Sequence, residues 1–99
     1  MHDMKLEFTS FQWDENKRSV NLVKHGIDFL DAVTIFEDPV FIKPSSFEEE
    51  ERHVAVGILD TIAIAVIFTI RDGNCRIISA RRARKNERRE YCHLYPGGA

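Results

Sequence analysis

The residues of this sequence that are best suited to chemistry are basic, and most of them lie in its last third. Arg71, Arg76, Arg81 and Arg82 lie along or just after apolar segments, and further bases follow as far as Arg89. A guanidinium binds phosphate oxygens through paired, charge-assisted hydrogen bonds. We expect Arg81 and Arg82 where a strand leads into a helix, whose free N-terminal amides also favour anions. The pattern therefore predicts a phosphate-binding site.

A simpler interpretation exists for each of these bases. The bases from Arg81 to Arg89 cannot all share one face of a helix, so some of them are ordinary solvated charges. Arg71 and Arg76 flank the hairpin sequence Asp72-Gly73-Asn74 and can be exposed cross-strand neighbours without a function. Both interpretations stay open from the residues alone.

His25 is the histidine best placed to transfer a proton. It follows Lys24 and precedes Gly26 at the expected end of a helix. Histidine exchanges protons near neutral pH, which makes it a common general acid or base. Lys24 adds a second cation beside it. The alternative is that His25 only stabilises the helix end, where the helix dipole favours a positive charge.

Glu51 and Arg52 begin another expected strand after a run of glutamates. The Glu51 carboxylate is a weaker candidate base, because three glutamates precede it and share its chemistry. Arg52 is a further candidate for phosphate binding. The histidines and cysteines lack the spacing of zinc ligands, and neither a glycine-rich phosphate loop nor a nucleophile elbow is present. We therefore expect no metal and no cofactor.

The helices are predicted from their capping residues. Asp14 is suited to the N-cap of a first helix, and Gly26 to the left-handed position that ends it. Asp28 begins a second helix, which Asp38-Pro39 ends. A third helix is expected from Arg82 to about Leu94.

Five short segments are predicted as strands. Their alternating or continuous apolar residues indicate Phe11–Trp13, Val40–Ile42, Arg52–Ile58, Ile62–Ile70 and Cys75–Ala80. The order β-α-α-β-β-β-β-α predicts an α+β fold, an antiparallel meander with two N-terminal helices and a C-terminal helix packed at one side. Residues 1–99 are expected to form a single domain with a loose tail at 95–99.

The charge is divided unevenly along the 99 residues. Residues 1–60 carry 13 acidic and 6 basic residues, whereas residues 61–99 carry 3 acidic and 8 basic residues. This division favours a polyanion partner, or an acidic protein that covers the basic part. The apolar run Ile62–Ile70 is too short to span a membrane, and no secretory signal is visible. We expect a cytoplasmic protein with no membrane partner and with its two cysteines reduced.

Three blocks of the sequence together resemble the BrnT-type toxins of bacterial type II toxin–antitoxin systems. The resemblance covers roughly residues 11–91. It rests on the blocks FQWDENKRSVNLVKHGIDFLDAVTIFEDP, EEERHVAVG and RIISARRARKNERREY, and within them on Trp13-Asp14, Asn21, Lys24-His25-Gly26, Glu51-Arg52, Gly57, Arg71, Arg76 to Arg82, Glu87-Arg88 and Tyr91.

The resemblance implies a RelE-like ribonuclease fold and metal-independent RNA cleavage that arrests growth. It implies a small antitoxin of ribbon-helix-helix type, which binds operator DNA and represses the operon together with the toxin. In that activity His25 is the acid or base, Arg52, Arg81 and Arg82 stabilise the phosphate, and Glu51 is the alternative base. Lys24, Arg71 and Arg76 extend the phosphate-binding surface. The other hypotheses are a non-catalytic module that binds RNA or antitoxin, and a subunit that acts mainly in repression.

Overall fold

A computed structural model of the chain describes residues 10–45 and 51–96. Residues 46–50, which hold most of the glutamate run, and the end of the expected tail at 97–99 lie outside the described residues. The elements are β1 (Phe11–Gln12), α1 (Glu15–His25), α2 (Phe29–Ala32), a 3₁₀ helix (Val33–Glu37), β2 (Phe41–Ser45), β3 (Arg52–Leu59), β4 (Ile62–Arg71), β5 (Asn74–Arg82) and α3 (Lys85–Leu94).

The five strands form one sheet in the order β1-β5-β4-β3-β2. Strands β2 to β5 form the expected antiparallel meander, but β1 pairs in parallel with the beginning of β5, so the sheet is mixed. The prediction of an entirely antiparallel sheet is wrong at this edge. Phe11 packs on Phe36 at 5.6 Å between ring centroids, which holds β1 beside β5.

The helices lie on both faces of the sheet, and the expectation that they pack at one side is wrong. Residues of α2 and the 3₁₀ helix pack with Ile64, Val66 and Phe68 on one face. Tyr91 of α3 packs on the opposite face, in the cluster that contains Ala65. The reason is visible in β4, whose apolar residues continue without alternation and therefore need cover on both sides.

The capping predictions for α1 are confirmed. The Asp14 carboxylate accepts from the backbone N–H of Asn16, and Gly26 has a left-handed backbone with φ of 73°. The predicted second helix divides into α2 and a 3₁₀ helix. Its residues Val33, Thr34 and Ile35 are β-branched and disfavour a longer α-helix. Ile35 packs directly over Gly57, where an added Cβ would lie 2.9 Å from the Ile35 Cβ.

Strand β5 continues to Arg82, and α3 begins only at Lys85. The prediction that the helix begins at Arg82 is therefore wrong. The backbone N–H of Ala83 still donates to the carbonyl of Ala63 across the sheet, at 3.0 Å. Pairing with β4 thus keeps the backbone of residues 81–83 extended, although their helix propensity favours an earlier start of the helix. Arg81 and Arg82 are strand residues rather than members of the first helical turn.

The beginning of the expected tail contacts the domain. Tyr95 donates its hydroxyl to the Val40 carbonyl at 3.0 Å, and its ring lies 5.0 Å from that of Tyr91. Among the helices of the described ranges, none has the length and apolar character needed to cross a membrane.

Candidate active site

The end of α1 is tied to the end of β5 by one buried side chain, Asn21. Its amide nitrogen donates to the carbonyls of Ile27 at 3.0 Å and Ala80 at 2.9 Å. Its amide oxygen accepts from the backbone N–H of Ala80 at 3.1 Å. Asn21 thereby pairs with Ala80 as a neighbouring strand would, and it places the segment 24–26 beside residues 81 and 82.

His25 lines two cavities at this junction. The first, which we call the α1 groove, has a volume of about 280 Å³ and lies between α1 and β5. The second, the corner cavity, has a volume of about 260 Å³ and lies next to the turn between β3 and β4. The α1 groove is lined by Asn16, Lys17, Val20, Asn21, Lys24, His25, Ile78 and Ser79. The corner cavity is lined by His25, Gly26, Ile27, Asp31, Leu59, Asp60, Ile62, Ile64 and Arg82.

The structure thus brings together three of the residues singled out from the sequence. His25 and Arg82 line the corner cavity, and Lys24 joins His25 in the α1 groove. An imidazole and a guanidinium thus line one cavity. Asp31 and Asp60 also line the corner cavity, so its two carboxylates outnumber its one guanidinium.

Arg81 lies on the other face of the sheet and is engaged in an ion pair. Its Nη1 and Nη2 donate to the two carboxylate oxygens of Glu87 at 2.8 and 3.0 Å. The Glu87 side chain is only 2% exposed, and Lys43 Nζ lies 3.5 Å from it. The same carboxylate accepts from the backbone N–H of Arg84 at 2.8 Å. Glu87 therefore joins β5, β2 and the beginning of α3.

Two opposing effects determine the pKa of Glu87. Burial alone would raise the pKa, because it disfavours the charged form. Hydrogen bonds from Arg81 and from the Arg84 amide, together with the charges of Arg81 and Lys43, outweigh burial and lower the pKa to about 2. Glu87 is therefore ionised at any physiological pH, and it acts as a fixed anion rather than as a proton donor.

The remaining candidates lie at the far end of the sheet. Arg76 pairs with Thr69 across the sheet and Arg71 pairs with Asn74, so the two arginines are diagonal neighbours rather than a directly paired set. Arg52 begins β3, and the hydroxyl of Thr69 donates to the backbone carbonyl of Glu51. Glu51 and Arg52 therefore lie near the arginine pair.

The eight candidates do not form one cluster. Arg82 pairs with Ile64 and Arg76 with Thr69, five residues further along β4, which corresponds to about 16 Å in an extended strand. Lys24, His25 and Arg82 lie at one end of the sheet, and Glu51, Arg52, Arg71 and Arg76 lie at the other. Arg81 lies at the Arg82 end but on the opposite face, beside α3. The single site expected from the sequence is therefore divided between two ends and two faces of the sheet.

Residue type and spacing predicted no role for two residues that organise this part of the molecule, Asn21 and Glu87. Both belong only to the pattern that resembles the toxin family. The role of Glu87 could have been predicted, since it is the one acid within residues 76–89. An acid three residues after the start of a helix commonly accepts from the N-cap amide. Asn21 gave no comparable signal, because its partners are backbone groups distant in sequence.

No group of three or more histidine, cysteine, aspartate or glutamate side chains that could hold a metal ion occurs in the described ranges. Lys17, Lys24 and Arg82 line the two cavities that share His25, against the two carboxylates of Asp31 and Asp60. A surplus of cations suits a nucleic acid ligand. Residues 13–87 match the family described as ribonuclease toxin, BrnT, of type II toxin–antitoxin system. The chain belongs to this family, and it is a toxin of a type II toxin–antitoxin system. A comparison with curated proteins gave no significant match.

Replacing Asn21 by leucine should destabilise the fold by about 2 to 4 kcal/mol, because the backbone groups of Ala80 and Ile27 would stay buried without partners. Urea denaturation measures this difference. Asn16→Leu is the matched control, since Asn16 is exposed on the same helix and its replacement should change stability by less than about 0.5 kcal/mol. Equal effects of the two changes would contradict the role of Asn21.

The pKa of Glu87, about 2 in the fold against an ordinary 4.5, predicts how stability depends on pH. A lowered pKa stabilises the fold fully above the ordinary value, and this contribution disappears as pH falls from about 4.5 towards 2. Glu87→Gln should lose this part of the acid dependence, on the order of 2 kcal/mol, in denaturation series from pH 6 to pH 2.5. Glu90→Gln, an exposed change on the same helix, should keep it. An unchanged acid dependence in Glu87→Gln would refute the assignment.

Proposed function

We propose that this toxin is a metal-independent endoribonuclease of RelE-like architecture whose cleavage centre is the corner cavity. The observation that carries the proposal is that His25 and Arg82, distant in sequence, line the same cavity. Family membership supports ribonuclease activity in general. The junction held by Asn21 supports this location, because it brings His25 next to Arg82.

The chemistry needs no group that the chain lacks. In RNA the 2′-OH attacks the adjacent phosphorus, forming the P–O2′ bond while the P–O5′ bond breaks. The proton of the 2′-OH passes to a base, and the leaving 5′ oxygen takes up a proton. The products are a 2′,3′-cyclic phosphate and a 5′-OH. No oxidant, metal or cofactor is consumed in this step.

His25 is the proposed proton-transfer group and Arg82 the group that offsets the negative charge of the transition state. General acid–base catalysis typically contributes about 10² to 10⁴ in rate. A preorganised cation contributes a comparable factor. Lys24, next to His25 in the α1 groove, supports binding of the same strand. Glu51 is the less favoured base, because it begins the far end of β3.

The arginines at the far end of the sheet are proposed to bind phosphates away from the cleaved bond. Measured along β4, the Arg76 position lies about 16 Å from the Arg82 position, and Arg71 lies about 23 Å from it. Arg52 begins the neighbouring strand β3 at the same end. This separation matches the length of several nucleotides in an extended RNA strand rather than the size of one phosphate. Arg81 lies next to Arg82 but on the α3 face, and together with the far arginines it is proposed to lead a single-stranded RNA towards the end of the sheet that carries His25.

The partner proposed for the same surface is an antitoxin of ribbon-helix-helix type. A type II antitoxin is a protein, and the concentration of positive charge after residue 60 suits an acidic segment of such a partner. The exposed bases of α3 and of the residue before it extend this charge beyond the cavity: Arg84, Lys85, Arg88 and Arg89. We propose that the complex acts in the cytoplasm, where it represses its own operon through operator DNA held by the antitoxin.

Purified protein should cleave RNA in the presence of EDTA and leave 2′,3′-cyclic phosphate ends, and His25→Ala should reduce the rate by about 10²-fold or more. His93→Ala is the control, since His93 is an exposed histidine near the end of α3. An all-2′-deoxy oligonucleotide should not be cleaved, because it lacks the attacking 2′-OH. Wild-type rates in His25→Ala would contradict the assignment, and binding without cleavage by the wild type would favour a non-catalytic module.

Expression of the chain alone should arrest growth, because uncontrolled RNA cleavage stops translation. Coexpression of a small ribbon-helix-helix protein encoded beside it should restore growth and lower the output of a reporter fused to their shared promoter. Colony counts and reporter fluorescence measure the two effects. The His25→Ala variant should not arrest growth but should still take part in repression. Growth that stays arrested despite the bound partner would contradict the proposed neutralisation.

A further inference from the structure

We propose that Glu87 is a positioning residue that holds the Arg81 guanidinium in place to bind a phosphate flanking the cleaved bond. The two guanidinium N–H groups available for that phosphate are called the fork. The proposal rests on the proposed function, since the phosphate belongs to the same RNA. The phosphate site at Arg81 lies apart from the proposed cleavage centre, because Arg81 and Arg82 are consecutive residues of β5 and face opposite sides of the sheet. Arg82 lines the corner cavity, whereas Arg81 contacts α3.

The hydrogen bonds of Arg81 define what it can still bind. A guanidinium has five N–H donors. Two of them reach the oxygens of Glu87, and a third, from Nη1, reaches the Arg82 carbonyl at 3.2 Å. Within residues 10–45 and 51–96, the N–H of Nε and the second N–H of Nη2 have no acceptor. These two donors lie side by side on one edge of the guanidinium and form the pair that binds two phosphate oxygens at once.

The contacts of Glu87, on the α3 side of Arg81, hold the fork in place. Glu87 is fixed by the Arg84 amide and by Lys43, so it cannot follow Arg81 towards a ligand. Arg81 in turn cannot swing away without leaving a buried carboxylate short of its strongest partner, which is costly. Its side chain nevertheless remains 18% exposed, so α3 does not close it off from a ligand. A fork held in this way loses little conformational freedom on binding.

The charge of the cluster also favours an anion. Two cations, Arg81 and Lys43, surround one carboxylate, so one positive charge is left over. Arg76 lies between Cys75 and Ile77, and Arg81 follows Ala80; those three neighbours belong to the core on one face, so Arg76 and Arg81 face the other side of β5. A phosphate bound at Arg81 therefore lies on the face of the sheet that also carries Arg76.

The test compares KM and kcat on two substrates. One is an RNA oligonucleotide with several phosphates, and the other is a dinucleotide whose single phosphate occupies the cleavage centre. Arg81→Lys keeps an ion pair with Glu87 but loses the fork, and Glu87→Gln keeps the shape but weakens the hold on Arg81. Both variants should raise KM for the oligonucleotide about tenfold with kcat nearly unchanged, because a flanking contact binds substrate and transition state equally. Neither should change KM for the dinucleotide.

A double variant separates positioning from general stability. In Arg81→Met the Glu87 carboxylate loses its main partner, so adding Glu87→Gln should raise the melting temperature but should not change KM further. Glu90→Gln, exposed on the same helix, should behave as wild type. The proposal is overturned if Glu87→Gln leaves the oligonucleotide KM unchanged, or if it raises KM equally in the Arg81→Met background or on the dinucleotide.

A separate binding measurement distinguishes this inference from the proposed function. An all-2′-deoxy oligonucleotide carries the same phosphates but cannot be cleaved, and its Kd should rise about tenfold in Arg81→Lys. If the wild type cleaves no RNA, the proposed function fails, yet the Kd values still decide whether the fork exists. If cleavage occurs at wild-type KM in Arg81→Lys, only the fork is refuted.

Discussion

The arrangement of this protein depends on the pairing between the Asn21 amide and the backbone of Ala80. Strand β1 covers β5 only as far as Arg76, so the later backbone groups of β5 need another partner. A helix has no free backbone groups along its side, but an asparagine side chain has the same donor and acceptor as a peptide. Asn21 therefore completes the sheet edge and also holds the turn at Ile27, which places His25 beside the end of β5.

A bulge in β5 then decides which arginine faces which side. Cys75, Ile77 and Ala80 all belong to the core beneath α1 and α2, and the step of three between Ile77 and Ala80 requires an extra residue. Without that residue, strict alternation would turn the side chain of Arg81 towards the α1 side. With it, Arg82 reaches the corner cavity and Arg81 reaches Glu87. A single irregularity thus gives two adjacent guanidiniums different environments.

Local patterns predicted much of the fold, and pairings between distant segments account for the errors. The caps at Asp14 and Gly26, the hairpin at Asp72-Gly73 and the central strand β4 follow from short-range chemistry. The parallel pairing of β1, the placement of α3 on the opposite face and the extension of β5 to Arg82 depend on partners more than ten residues away. The candidate residues were named from their types and spacing, but their division between the two faces of the sheet could not be predicted, because the bulge has no sequence signature.

The residues that organise the site also hold the fold, whereas the proposed reacting residues do not. Asn21 and Glu87 are buried and each joins several elements, so replacing either one changes both stability and geometry. His25 and Arg82 are exposed at the margins of the sheet, where a change costs little stability. A loss of activity therefore has different meanings at the two kinds of position. At His25 it reports on chemistry, whereas at Glu87 it reports on chemistry only when stability and KM are measured together.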